Sequence, residues 1–125
     1  MANPVELTAP DSAKEGATVN VSATVTNTLE YHASFWTRIW AVPDQQDVVL
    51  IFELDEAIQS GLSKTYTTAF TMPDRNVTVL AWVERWAFDH WEYWGQDSKY
   101  VILEVEVPLP SSEFDSLGIA SLTKV

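Results

Sequence analysis

The sequence predicts an all-β domain: a two-layer sandwich of seven short strands with a C-terminal extension. Three observations carry this. Apolar and polar residues alternate with period two in several segments, most cleanly in Thr18–Thr26 and Asn76–Trp86. Turn-forming residues break the chain at short intervals, and no segment makes a convincing helix. Each strand has one apolar face, so a second sheet is needed to cover it.

The elements follow in order. A short edge-type strand around Val5 and Leu7 runs into a turn-like stretch, Pro10–Gly16. In Thr18–Thr26, Val19, Val21, Ala23 and Val25 face one way, and Asn20, Ser22, Thr24 and Thr26 the other. Asn27–His32 is polar and suits a loop. Ala33–Val42 is the third strand, with Phe35, Thr37, Ile39 and Ala41 towards the core. Pro43–Asp47 is a turn, and Val48–Leu54 a short apolar strand. Asp55–Leu62 suits either a helical turn or a loop ending at Gly61. Ser63–Thr71 alternates again.

The last two strands are Asn76–Trp86, with Val77, Val79, Ala81 and Val83 inward, and Lys99–Val107, with Val101, Leu103, Val105 and Val107 inward. A long loop, Ala87–Ser98, is expected between them. Pro108–Ser112 cannot extend a central strand, because proline removes ladder donors. The boundaries are therefore a sandwich over residues 1–107, then a Pro/Ser hinge and tail over 108–125.

Composition narrows the function classes. The 125 residues are 46% apolar, enough for a sizeable core. Seven Lys and Arg stand against eighteen Asp and Glu, a formal charge of −11. Nucleic acid and anionic membranes need a basic footprint, so both are disfavoured as partners. No apolar run is long enough to span a bilayer, so membrane insertion is not expected. There is no cysteine, which removes disulfides, thiol catalysis and zinc–thiolate sites. Met1–Pro4 lacks the basic and apolar stretches of a secretory signal, which suits a chain made without export or a piece whose leader is missing.

Two strings echo each other: Trp36-Thr37-Arg38-Ile39-Trp40 and Trp82-Val83-Glu84-Arg85-Trp86. In a strand each puts two indoles and one charge on a single face. Taken in order, the third and sixth strands become neighbours with the seventh outside. Trp36, Arg38, Trp40, Trp82, Glu84, Trp86, Tyr100 and Ile102 then share one outer face, with Arg38 and Glu84 opposite each other. Four buried indoles represent up to about 15–25 kcal/mol of gross transfer energy, against a typical net stability of about 5–15. Such a face calls for a cover: the chain's own loop and tail, another protein copy, or a ligand such as a sugar.

Phe70-Thr71-Met72-Pro73-Asp74, followed by Asn76-Val77-Thr78-Val79, resembles a strand junction of immunoglobulin-like modules in prokaryotic and phage surface proteins. Glu15–Val21, ending in Thr26-Asn27, is similar to the second strand of CARDB and fibronectin-like modules of bacteria and archaea. The resemblance covers about residues 4–107. It implies an immunoglobulin-like sandwich acting as a structural or adhesive module of a virion or cell surface, with no catalytic residues to carry over. The chain departs from antibody domains in lacking paired cysteines.

The segment Asp89-His90-Trp91-Glu92-Tyr93-Trp94 adds Trp91 and Trp94 as candidate contacts. Asp89, Glu92 and Asp97 are a candidate Ca²⁺ set, although their spacing matches no calcium motif and a solvated acidic loop is the plainer explanation. No other cofactor is implied. Asp44 with Asp47, or Asp55 with Glu56, are the only carboxylate pairs to weigh for glycoside hydrolysis, and no cleft is predicted for them. The expectation is a non-enzymatic chain.

In the tail, Phe114, Leu117 and Ile119 suit a spare strand that adds to a neighbouring copy, a segment that folds back on its own sandwich, or the start of a further module. The sequence thus points to an association module, self-associating or docking on another structural protein of a virion or cell surface. The alternative is a carbohydrate-binding module whose Trp and Tyr rings stack on sugars.

Overall fold

The computed structural model describes residues 3–105. It is an all-β sandwich of eight strands: β1 (Val5–Thr8), β2 (Ser12–Lys14), β3 (Thr18–Thr26), β4 (Ala33–Pro43), β5 (Val49–Ile58), β6 (Ser63–Thr71), β7 (Val77–Ala87) and β8 (His90–Glu104). One sheet has the order β1-β3-β6, the other β2-β8-β7-β4-β5. All pairings are antiparallel except β2 with β8, which is parallel.

Alternation builds the core as the sequence predicts. Val19, Val21, Ala23 and Val25 of β3 face Phe35, Ile39 and Ala41 of β4 and Val77, Val79, Ala81 and Val83 of β7, all buried. Asn27 is also fully buried, with every polar side-chain atom used: its Nδ2 donates to the carbonyls of Tyr31 (3.0 Å) and Ile58 (2.8 Å), and its Oδ1 accepts from the Leu29 amide (2.8 Å). These bonds close the loop after β3 and tie it to the end of β5. No helix among the described residues is long and apolar enough to cross a membrane.

Four expectations are corrected. Within the turn-like stretch Pro10–Gly16 lies β2, an eighth strand, whose three residues are too few to show a period. Asp55–Leu62 is neither a helical turn nor wholly a loop, because β5 runs on to Ile58. Its acidic residues are tolerated there because β5 is an edge strand, where charge guards against stray pairing. The long loop Ala87–Ser98 does not exist. Phe88 and Asp89 make a two-residue turn, and β8 begins at His90. Finally, Val105 is exposed rather than inward, because β8 stops at Glu104.

The missed half of β8 hides behind a bulge. Val83 pairs with Gly95 and Glu84 with Tyr93, which leaves Trp94 as the extra residue. Side-chain parity therefore flips at Trp94: Trp91 and Tyr93 share a face with Gln96, Ser98 and Tyr100. A scan for strict alternation fails across such a break. Beside the bulge, Gly95 gives β1 room to cross, since a Cβ there would lie 3.0 Å from Val5 Cγ2 and 3.3 Å from Pro4 Cγ.

Candidate interaction surface

The outer face of the five-stranded sheet gathers the aromatic residues. The third and sixth predicted strands, β4 and β7, are neighbours, and β8 flanks β7. Their register places Trp36 opposite Glu84 and Arg38 opposite Trp82. Arg38 and Glu84 are thus offset by two residues of register rather than directly opposite, and they meet on the diagonal, Nη2 to Oε2, at 2.7 Å.

Arg38 is held from several sides. Its guanidinium carbon lies 3.9 Å from the Trp36 ring centre and 5.1 Å from that of Trp40, within cation–π range of both. Glu84 Oε2 also accepts from Trp82 Nε1 at 2.9 Å. Arg38 Nε is buried without a hydrogen-bond partner. The two charged side chains are only 20% and 21% exposed, so the pair sits between the surface and buried regimes.

The rings pack on one another. Trp82 lies 4.8 Å from Tyr93, Trp36 5.5 Å from Trp91, and Trp86 5.2 Å from Trp91. The planes are inclined at 53° to 69°: Trp86 meets Trp91 edge-to-face and the other two pairs are tilted, so the rings form no coplanar platform. These contacts leave much of the cluster wet: Trp86 is 41% and Tyr93 56% exposed, and Tyr100, Ile102 and Leu50 are about half exposed. Trp36, Trp40, Trp82 and Trp91 are half-buried.

Three residues of this surface escape the sequence reading. Tyr93 joins it only through the bulge. Leu50 joins through a second register shift, in β5, where Ile51 is extra and Trp40 comes to pair with Leu50. Phe88, at the hairpin tip, is completely exposed and adopts φ = 64°, a left-handed conformation unusual for a bulky residue. A two-residue turn with positive φ at its first position ordinarily takes glycine there.

Trp94 does not belong to the surface. It turns to the other side of the sheet, with its ring 5.2 Å from Phe35 in an edge contact and its Nε1 donating to the Thr26 carbonyl at 3.2 Å. Phe114, Leu117 and Ile119 lie outside the described residues.

The acidic set is dispersed by other duties. Asp97 accepts from the amides of Leu7 (2.8 Å) and Ser98 (2.9 Å), which anchors β1 to β8. Asp89 and Glu92 flank His90 at 2.8 and 3.2 Å, and Glu92 also pairs with Arg85 at 2.9 Å. The His90 pKa is raised, chiefly by its bond to Asp89 and then by that to Glu92, and both carboxyls are correspondingly held below their usual range. Among the described residues, no group of three or more His, Cys, Asp or Glu is placed to hold a metal ion. Asp55 and Glu56 point to opposite sides of β5: Asp55 pairs opposite Trp36 on the outer face, whereas Glu56 accepts from Tyr66 Oη at 2.7 Å and Lys64 Nζ at 3.0 Å.

The opposite outer face, on β3 and β6, has a different character. It is dominated by Ser and Thr, and cross-strand hydroxyls satisfy each other, Thr24 with Thr65 at 2.8 Å and Thr26 with Ser63 at 2.7 Å. Among the described residues, the aromatic side chains on the outer sheet faces lie on the five-stranded sheet, whereas Tyr66 and Phe70 of β6 turn towards the interior.

Neither a protein-family model nor a curated protein sequence matches the chain. Solved structures share its fold. A superoxide reductase (neelaredoxin) from Ignicoccus hospitalis superposes with a TM-score of 0.59 at 13% identity, covering 80% of this chain and 80% of that one. A β-glucuronidase from Bacteroides uniformis superposes with a TM-score of 0.61 at 13% identity, covering 80% of this chain and 13% of that one. A β-glucosidase from Listeria innocua, in complex with glucose, gives 0.55 at 16% identity over 85% of this chain and 17% of that one. At such identities the likeness is one of fold, and the kinship suggested by CARDB and fibronectin-like strings reaches no further than the β-sandwich. One expectation is overturned: the chain was expected not to be an enzyme, yet superoxide reductase chains share this architecture over most of their length, so the fold does not set it apart from enzymes.

Proposed function

We propose that the chain works as a docking module, engaging another protein of a virion or cell-surface assembly through the outer face of β4, β7 and β8. One observation carries this reading: an aromatic cluster on a single sheet face, with Trp86 41% and Tyr93 56% exposed and the fully exposed Phe88 at the hairpin tip that ends it. Large aromatics and arginine are the residues that dominate protein interfaces, and a wet patch of them is a costly way to end a sheet. The Ser and Thr face opposite has no such cost, which gives the module one working side.

The test compares wild type with a Trp86→Ser, Tyr93→Ser variant whose folding is verified by its melting transition. Two readouts apply: solution mass over a range of concentrations, and retention of proteins from the source lysate. A partner, or a second copy, held by wild type and lost by the folded variant supports docking. Identical behaviour of the two proteins overturns it.

Carbohydrate binding is the second reading, favoured by the exposed Tyr and Trp rings. The inclined ring planes weigh against it, because sugars stack best on open, coplanar platforms. Titration with soluble polysaccharides, followed by tryptophan fluorescence, separates the two, and no response across a glycan panel removes the sugar reading.

A further inference from the structure

We infer that the docking face takes a basic polypeptide segment, whose arginine or lysine side chains lie against its aromatic rings and pair with the carboxylates beside them. The inference rests on the docking reading and adds the chemistry of the partner.

A motif recurs on this face: an aromatic side chain donates its polar hydrogen to a carboxylate at the ring edge. Trp82 Nε1 donates to Glu84 at 2.9 Å, Trp36 Nε1 to Glu53 at 2.8 Å, and Tyr100 Oη to Asp44 at 2.9 Å. Each arrangement sets a negative charge at the rim of an aromatic ring, and a guanidinium can pair with the one while lying over the other. One guanidinium of the chain already bridges the first two, pairing with the carboxylate of one and lying over the ring of the other. Arg38 lies over Trp36 and pairs with Glu84 at 2.7 Å. Glu53 and Asp44 make no ion pair with any described residue, although Glu53 is exposed. The chain thus contains an example of a guanidinium held between a ring and a carboxylate of this face, and it leaves the carboxylates of Glu53 and Asp44 without a cation among the described residues.

Overall charge points in the same direction. Of the six Lys and Arg among the described residues, five are paired within the chain: Arg38, Lys64, Arg75, Arg85 and Lys99. The surplus charge is carboxylate, −11 over the whole sequence. A second copy would bring the same acidic face against itself, and like-charge juxtaposition opposes that. A cationic segment is attracted by the same field.

Register gives the segment a length. Glu53 pairs with Arg38, Arg38 with Trp82, and four residues further along the sheet Val42 pairs with Thr78 and Thr78 with Tyr100. Three strand spacings across and four residues along separate Glu53 from Tyr100 by about 20 Å, which an extended segment spans in about six residues.

The experiment titrates the ¹⁵N-labelled protein with a twelve-residue peptide of alternating arginine and serine, and with its glutamate–serine counterpart, at low and high salt. Indole Nε1–H resonances report on the face directly. The expected result is saturable shifts at Trp36 and Trp82 with the arginine peptide alone, weakening as salt rises. Glu53→Gln with Asp44→Asn should weaken binding about fivefold or more, whereas Glu6→Gln with Glu30→Gln, an equal change of charge elsewhere, should leave it within about twofold. Equal loss in the two double variants would reduce the effect to bulk charge and overturn the inference. If the peptide is ignored while Trp86→Ser, Tyr93→Ser still abolishes self-association or partner retention, the cationic inference fails and docking stands. If those aromatic substitutions change nothing either, both fall together.

Discussion

Arg38 and Glu84 meet on a diagonal of the sheet, their Nη2 and Oε2 atoms 2.7 Å apart, because the register sets Arg38 opposite Trp82 and Glu84 opposite Trp36. The offset interleaves charge with indole, so each charged group is flanked by a ring and shielded from water. Arg38→Met leaves Glu84 with only the Trp82 N–H for company. We expect a loss of about 1–3 kcal/mol by urea denaturation, below the full cost of breaking a buried pair because one-fifth of each side chain is wet. The double variant Arg38→Met, Glu84→Gln should recover part of it. A change under about 0.5 kcal/mol in the single variant would place the pair among ordinary surface contacts.

Phe88 combines complete exposure with φ = 64°. Glycine adopts this conformation freely, whereas other residues held there cost about 1–3 kcal/mol. Phe88→Gly should therefore raise stability, by about 1 kcal/mol, while weakening any association that uses the hairpin tip. A lower melting temperature would show that the phenyl ring has a structural duty.

Asn27→Ala removes three hydrogen bonds at a fully buried position and takes the Asn27 donor from the buried Ile58 carbonyl, whereas the carbonyl of exposed Tyr31 can turn to water. The expected cost is about 2–4 kcal/mol, since buried groups left without partners carry their whole desolvation penalty. Hydrogen exchange should localise the damage to the loop after β3 and the end of β5. Uniform loss of protection would argue against that localisation.

Gly95→Val sets side-chain atoms against Val5 and Pro4, which a Cβ alone approaches to 3.0 and 3.3 Å. Overpacking at this crossing should cost about 1–3 kcal/mol and loosen β1 first. Undiminished stability would mean that β1 shifts without penalty.

Acid should unfold the protein more readily than base. The carboxyls of Asp11, Glu56 and Asp74 are held below their usual range, first of all by hydrogen bonds to Lys99, Tyr66 and Arg75 respectively, and those of Asp89 and Glu92 by His90. A depressed carboxyl contributes stability above its unfolded pKa, and the contribution is lost as pH falls through the folded value. The melting temperature should hold from neutrality down to about pH 5 and drop below about pH 4. His90 has the opposite sign: its raised pKa stabilises at acidic pH and that share fades as pH rises through its folded value. A melting temperature that rises on acidification below pH 4 would contradict the carboxylate account.

The layers of the sandwich were legible wherever alternation runs unbroken, as in Val19 to Val25 and Val77 to Val83, because burial on one face leaves a period-two trace. The aromatic face was legible for the same reason in Trp36, Arg38, Trp40, Trp82, Glu84 and Trp86. What escaped notice lies where the period is interrupted or too short. Trp94 looked like a partner of Trp91 and Tyr93 but turns the other way at a bulge. Phe88 and Asp89 form a turn without the glycine that would have announced it. The ring-to-carboxylate pairs of Trp36 with Glu53 and Tyr100 with Asp44 join residues far apart in sequence, and only the sheet order brings them together.

The extra residue at Trp94 decides which rings the hairpin presents. It shifts the alternation of β8 alone, so the outward place of Trp91 and Tyr93 is set by the bulge and not by the period that buries Val101. Pairing β8 without the bulge would turn both rings towards the interior and bring Trp94 out, so a single irregularity in β8 would exchange the outer face of the hairpin while the valines of β3 and β7 stay as they are.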